Sequence, residues 1–484
     1  MILVPILLPL IAAALIAALP AARATVVATF AAGVTFGVAT QLGGAAAINL
    51  PWIDSLGVGV RFAPTGASAM LVIAASLAMI PTLVQAGRTA DRPRVAAVSL
   101  LAFLGALNGL FLASDLVLMY VFWELSLIPT LVLLAAFGLD RKRAALMKYV
   151  AYAFAGSLMM LASIAAIRPL SGAESYALSD LQAATTALPA GVQAWLFAGF
   201  AAAFMVKLPI LPLHAWLIDV HRQNHPAGFA DVAGTLYKVG GFGLFAWSIP
   251  LLPAGAAALQ PALLPLAAVT ALWGALAATQ QTDLKSFIAY GSLSHMGIVG
   301  VGVLSLTPAG MTGGMLLLAA QMLSTGALFL LAGMLHARRG TFEFTSFGGL
   351  GATAPALAGV TTLIMFAFVG VPGLSNFPGE FLALMGAFNA SAAWGVVAVT
   401  SVVAAGVYGV NALHKVFLGG KTGETADLSR PEWGVLAFFL AGILWFGVNP
   451  GGFSAAVQAD AGPTVVAAQT TVTPVALASE GGAR

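Results

Sequence analysis

Long apolar runs, interrupted by short polar or glycine-rich stretches, dominate the chain from Met1 almost to its C-terminus. Each run of roughly eighteen or more apolar residues can cross a bilayer as a helix. Fourteen candidate spans lie near 2–19, 24–43, 67–87, 95–113, 115–138, 147–167, 191–212, 229–249, 256–279, 285–305, 310–335, 354–388, 393–416 and 432–449. The runs are spread evenly, so residues 1–484 read as one all-α polytopic membrane domain. The twelfth span is too long for one straight helix and must be broken, tilted or partly outside the lipid.

Two spans carry their own interruption. The seventh contains Lys207-Leu208-Pro209-Ile210-Leu211-Pro212, and the twelfth runs Gly370-Val371-Pro372-Gly373-Leu374-Ser375 before Asn376. Proline removes a helical hydrogen bond and clashes with the preceding turn. Non-helical backbone at membrane depth survives only where protein buries it or water reaches it. Broken helices at corresponding places in two halves point to inverted repeats around an ion pathway. The breaks are five spans apart, which predicts two five-helix repeats, spans 4–8 (94–249) and spans 9–13 (256–418). An odd helix number inverts the second repeat relative to the first.

Composition sharpens this picture. The chain is 60% hydrophobic and 8% charged, against about a quarter charged in soluble domains. A net charge of +3 spread over short loops is no nucleic-acid footprint. There is no cysteine, which excludes thiolate-held iron–sulfur clusters, disulfides and thiol catalysis. The apolar N-terminus lacks a basic leader region and reads as a first span. An even span number puts both termini on one side. With the termini outside, the inner loops hold Arg23, Arg88, Arg92, Arg94, Arg141, Lys142, Arg143, Lys148, Arg222, Lys285, Arg338, Arg339, Lys415, Lys421 and Arg430, and the outer segments hold only Arg61, Arg168 and Arg484. Lys and Arg gather in cytoplasmic loops, so both termini are expected in the periplasm of a bacterial inner-membrane protein.

Few charges fall inside spans. An ionisable side chain at membrane depth is costly and marks function by default. The interior set is Glu124, Lys207, Lys238 and Glu380, with His295 as a neutral-capable member. A desolvated lysine releases its proton more readily and a neighbouring carboxylate reverses that, so such a pair can load and unload a proton. The alternative is a static Glu124–Lys207 ion pair. For Glu380 it is a helix-capping or snorkelling role, and for His295 a hydrogen-bonded packing role. His214, after Pro212, is a further relay candidate. His221, His225, His336 and His414 sit in or beside loops and read as surface residues. Asp115 and Asp231 read as caps of spans five and eight. His214 and His221 have no third ligand at a convincing spacing, so no metal site is expected. No phosphate loop, nucleophile–base pair or dinucleotide fingerprint occurs.

These residues also carry a resemblance. Asp115 through Pro129, around Phe122-Trp123-Glu124, resembles the span-five signature of the M-type antiporter-like subunit of respiratory complex I, the NADH:quinone oxidoreductase. Val206-Lys207-Leu208-Pro209 through His214 to Leu217 is similar to the broken seventh helix of all antiporter-like subunits. Leu236-Tyr237-Lys238-Val239-Gly240, Ser292 through Gly297 and Gly370 through Glu380 resemble further family blocks. The resemblance implies fourteen spans, two inverted repeats and a central proton chain through Glu124, Lys207, Lys238 and Glu380. It implies L-type and N-type neighbours, and it places NADH, FMN, iron–sulfur clusters and quinone in other subunits, with none bound here. Glu380 points to the M type, because L and N types usually have lysine there. The L type also has a long C-terminal lateral helix, for which the polar Ala/Thr-rich tail leaves no room. Gln321 stands where many M subunits have histidine, and an amide cannot take up and release a proton at neutral pH. The alternative reading is a subunit of a multi-subunit sodium/proton antiporter or membrane-bound hydrogenase.

Overall fold

The computed structural model describes residues 1–18, 20–236, 239–420 and 423–470. Lys238, Lys421 and Arg484 lie outside the described residues. Helix falls in every predicted span. The first six spans are α1 (Val4–Ala17), α2 (Ala21–Ala39), α3 (Gly66–Thr89), α4 (Pro93–Leu112), α5 (Leu116–Phe137) and α6 (Lys142–Ser171). A short helix, α7 (Leu178–Thr185), precedes the seventh span, which is split into α8 (Ala190–Lys207) and α9 (Ala215–Gln223). The eighth comprises α10 (Phe229–Leu236), α11 (Gly240–Gly243), a π-helical turn at Leu244–Ser248 and α12 (Ile249–Leu251). Then follow α13 (Pro253–Thr279), α14 (Leu284–Leu304), α15 (Pro308–Arg339), the split twelfth span as α16 (Pro355–Phe368) and α17 (Asn376–Ala390), α18 (Ala392–Phe417), α19 (Arg430–Val448) and α20 (Gly451–Thr470). Among the described residues, ten helices are long and apolar enough to cross a membrane unaided.

Local chemistry sets the helix ends. Asp115 caps α5 as expected, accepting from the Val117 and Leu118 amides. Its other oxygen pairs with Arg61 at 2.6 Å and takes the Gly59 amide. Thr307 caps α15 ahead of Pro308, and Gly340 ends it in the left-handed region at φ 72°. Arg338 clamps Glu432 through two nitrogens at 2.7 and 2.8 Å and donates to the Asp427 carbonyl. Burial works to raise the Asp427 carboxyl, but the amides of Ala356, Leu357 and Leu428 outweigh it and hold it below the usual carboxylate range.

The spine is α15, buried throughout residues 310–335. Gly313 of α15 and Gly379 of α17 bring those two backbones into direct contact, where a β-carbon would meet main chain. Small residues permit such approach between membrane helices.

Two elements depart from the sequence reading. Residues 48–62 form a β-hairpin, β1 (Ile48–Ile53) paired antiparallel with β2 (Val58–Phe62), turning at Gly57 with φ 69°. The segment after span fourteen, read as a polar tail, begins with α20. Its buried stripe Val457, Ala461 and Val465 faces the bundle, and Asp460 accepts the Ala67 amide at 2.8 Å. Hydropathy misses α20 because burying one stripe at four-residue spacing needs few apolar residues.

Candidate functional site

The break of the seventh span is held together by side chains. Trp216 donates to the Val206 carbonyl at 3.0 Å, and Thr270 of α13 accepts the Leu211 amide at 3.0 Å. Backbone groups freed by the break therefore find side-chain partners within the bundle. Lys207 is the last residue of α8, where the carbonyl end of the helix favours a cation. Its ammonium donates to the Tyr149 hydroxyl at 3.3 Å and lies over the rings of Trp123 and Tyr149, at 5.5 and 5.2 Å. Tyr149 in turn stacks on Trp216. Glu124, half-buried on α5, bonds the Ser157 hydroxyl, which also meets Tyr120 at 3.2 Å. Glu124 acts on Lys207 through its charge, but among the described residues the two form no direct ion pair. The arrangement differs from the static pair, since each group has separate hydrogen-bond partners. His214 ends the broken segment just before α9.

The second break carries a tighter pair. Asn376 donates to the Phe368 carbonyl at 2.9 Å and accepts from Ser324 and Ser375, closing the gap between α16 and α17. Gly370 sits at φ 78°, and a β-carbon there would strike the Glu380 carboxylate. Glycine is thus needed for both the turn and the space. Glu380 and His295 are both buried, with Nε2 of His295 3.1 Å from Oε1 of Glu380. Nδ1 of His295 lies 2.8 Å from the Gly291 carbonyl. A carbonyl only accepts, so Nδ1 carries hydrogen. Nε2 and a carboxylate oxygen at this distance would repel as two lone pairs. A proton on either group relieves that, although the present alignment makes no hydrogen bond and leaves Oε1 of Glu380 without a hydrogen-bond partner among the described residues. Glu380 faces His295, not its helix N-terminus, which sets aside the capping role. Gln321 is buried on α15, bonded to Thr325 through its oxygen, and its amide nitrogen has no partner among the described residues.

A third buried cluster was not foreseen. His221, Asp231 and Lys285 are 0%, 0% and 1% exposed. Asp231 meets Nδ1 of His221 at 2.9 Å, Asn224 at 3.1 Å and Lys285 at 2.8 Å. Lys285 also donates to the carbonyls of Asn224 and His225. These contacts replace three readings: His221 is not a surface residue, Asp231 is not a simple cap, and Lys285 is not a loop charge. In the loop outside the spans, burial first and the Lys285 ammonium second hold the His225 imidazole below its ordinary value.

Removing one charge from a buried pair strands the other. Asp231→Asn is expected to destabilise the protein by about 3–5 kcal/mol, while Asp231→Asn with Lys285→Met should recover most of it. Thermal unfolding of the solubilised protein checks this, and a double variant no better than the single one would refute it.

Comparison places this fold in a class. Residues 113–405 match the family described as NADH:quinone oxidoreductase/Mrp antiporter, TM. The chain belongs to that family. Within it, the chain is an M-type antiporter-like membrane subunit. It is 42% identical over 417 residues to NADH-quinone oxidoreductase subunit 13 of Thermus thermophilus, covering 86% of this chain and 87% of that one. It is 32% identical over 402 residues to NADH-quinone oxidoreductase subunit M of Escherichia coli, covering 81% and 79%. A chain of respiratory complex I from Thermus thermophilus with bound NADH superposes with TM-score 0.92 at 40% identity, covering 97% of this chain and 100% of that chain. A chain of the Mrp complex from Dietzia superposes with TM-score 0.82 at 19% identity, covering 97% and 98%, a likeness of fold.

Proposed function

We propose that this chain moves protons across the bacterial inner membrane as a subunit of an NADH–quinone oxidoreductase. The buried contact between His295 and Glu380 carries this reading, because two groups able to exchange a proton lie 3.1 Å apart inside the bundle. Glu124 and Lys207 form the corresponding station of the first repeat, residues 94–249, and His295 and Glu380 that of the second, residues 256–418. Lys238 and His214 are assigned to the polar axis linking them. The chain itself binds no redox cofactor or metal. NADH, FMN, iron–sulfur clusters and quinone belong to partner chains, and L-type and N-type subunits flank it. Electron transfer reaches it as a change in charge or conformation along the axis. Both termini face the periplasm, on the Lys/Arg asymmetry.

A complex purified through a tag on this chain and reconstituted is expected to oxidise NADH with quinone and take up protons. Sodium/proton exchange without NADH oxidation would favour the antiporter alternative. In the same vesicles a cysteine at position 142 should label from the cytoplasmic side, and periplasmic labelling would overturn the orientation.

A further inference from the structure

One crevice lies between the proton pair and the cytoplasm. It is bounded by α14, α15, α16 and α18, and runs from Leu284, Leu335 and Phe417 inward to Ile288, Met365 and Ala412. Its volume is ≈ 30 Å³, while one water needs about 10–15 Å³ by the same measure. One or two waters would therefore fit by size. They would also need two to four polar partners, and the lining supplies none. Thr361 is the one lining residue with a hydroxyl, which it donates to the Leu357 carbonyl of its own helix at 2.7 Å. Chemistry keeps this crevice dry.

A layer of rings closes its inner end. Tyr408 lies one turn deeper than Ala412 and packs edge-on against Phe287 at 5.4 Å. Phe368 lies one turn deeper than Met365, 6.3 Å from the Tyr408 ring and 4.7 Å from the His295 ring. Gly291 completes the layer, and a β-carbon there would come 3.2 Å from the Tyr408 hydroxyl. The next turn of α14 is His295. The Tyr408 hydroxyl is buried and has no partner among the described residues, and an unmet polar group at such depth calls for water.

We propose that Tyr408 and the apolar crevice beneath it form the barrier that closes the Glu380–His295 site to the cytoplasm. It rests on the reading of that pair as a proton site and assigns the residues that prevent backflow through it. Apolar constrictions block conduction by dewetting, and one polar side chain in a space already large enough for water would open it. Met365→Gln adds an amide at nearly unchanged length.

The test is passive proton conductance of the reconstituted complex without NADH, under an imposed pH gradient with the membrane potential clamped. Met365→Gln should dissipate the gradient severalfold faster than wild type, whereas Met365→Leu and Tyr408→Phe, which keep the seal apolar and filled, should stay tight. Adding Glu380→Gln to Met365→Gln should abolish the leak. Wild-type tightness in Met365→Gln at normal complex content would overturn the proposal. So would a leak that survives Glu380→Gln. If Met365→Gln does not assemble, Leu331→Gln on the opposite wall carries the same expectations. NADH-driven pumping by Glu380→Gln with the crevice intact tests the underlying reading separately.

Discussion

Glu124→Gln is expected to leave the complex assembled while lowering NADH-driven proton uptake and coupled NADH–quinone activity by about tenfold or more, ~1.4 kcal/mol or more in barrier terms. Glutamine preserves the shape of the side chain and its bond to Ser157. What disappears is the negative charge acting on Lys207. Lys207 is almost fully buried against Tyr149 and Trp123, so a nearby charge decides whether it holds its proton. A structural role would leave activity intact once the bond to Ser157 is kept. Near-wild-type activity in membranes with normal complex content would remove Glu124 from the mechanism.

Glu380→Gln and Glu380→Lys should both assemble and both lower uptake by about tenfold or more. Glutamine can accept a bond from protonated His295 but cannot receive its proton. Lysine puts a cation where a carboxylate faces the imidazole, so protonating His295 becomes unfavourable. Gly370 leaves room for a carboxylate against the broken backbone, and the longer lysine must leave that place.

The candidate residues beside the two breaks are legible in sequence because a charge in the middle of an apolar run has few cheap explanations. Glu124, Lys207, His295 and Glu380 all stand out that way, and Pro209, Pro212 and Pro372 mark the breaks beside them. The seven-residue gap between α8 and α9 and that between α16 and α17 fall where proline and glycine placed them. The His221–Asp231–Lys285 cluster was illegible for the opposite reason. Each member lies near a span end, where charges are inexpensive, and Asp231 and Lys285 meet only through the tertiary fold, which brings the first turns of α10 and α14 within reach of each other's side chains. Pairing also explains how Lys285 can be buried at all, since the carboxylate and two carbonyls replace its water. The crevice beneath Tyr408 was equally hidden, because apolar lining is indistinguishable in sequence from ordinary core. The approach of His295 to Glu380 needed coordinates, since it depends on which nitrogen of His295 faces Gly291 and which faces Glu380.

The central claim is that protons cross through this chain and that the His295–Glu380 pair handles them. The most direct measurement is the number of protons taken up per NADH oxidised by inverted membrane vesicles, compared between wild type and Glu380→Gln at equal complex content. A lower ratio is expected in the variant. An unchanged ratio at an unchanged rate of NADH oxidation would contradict it.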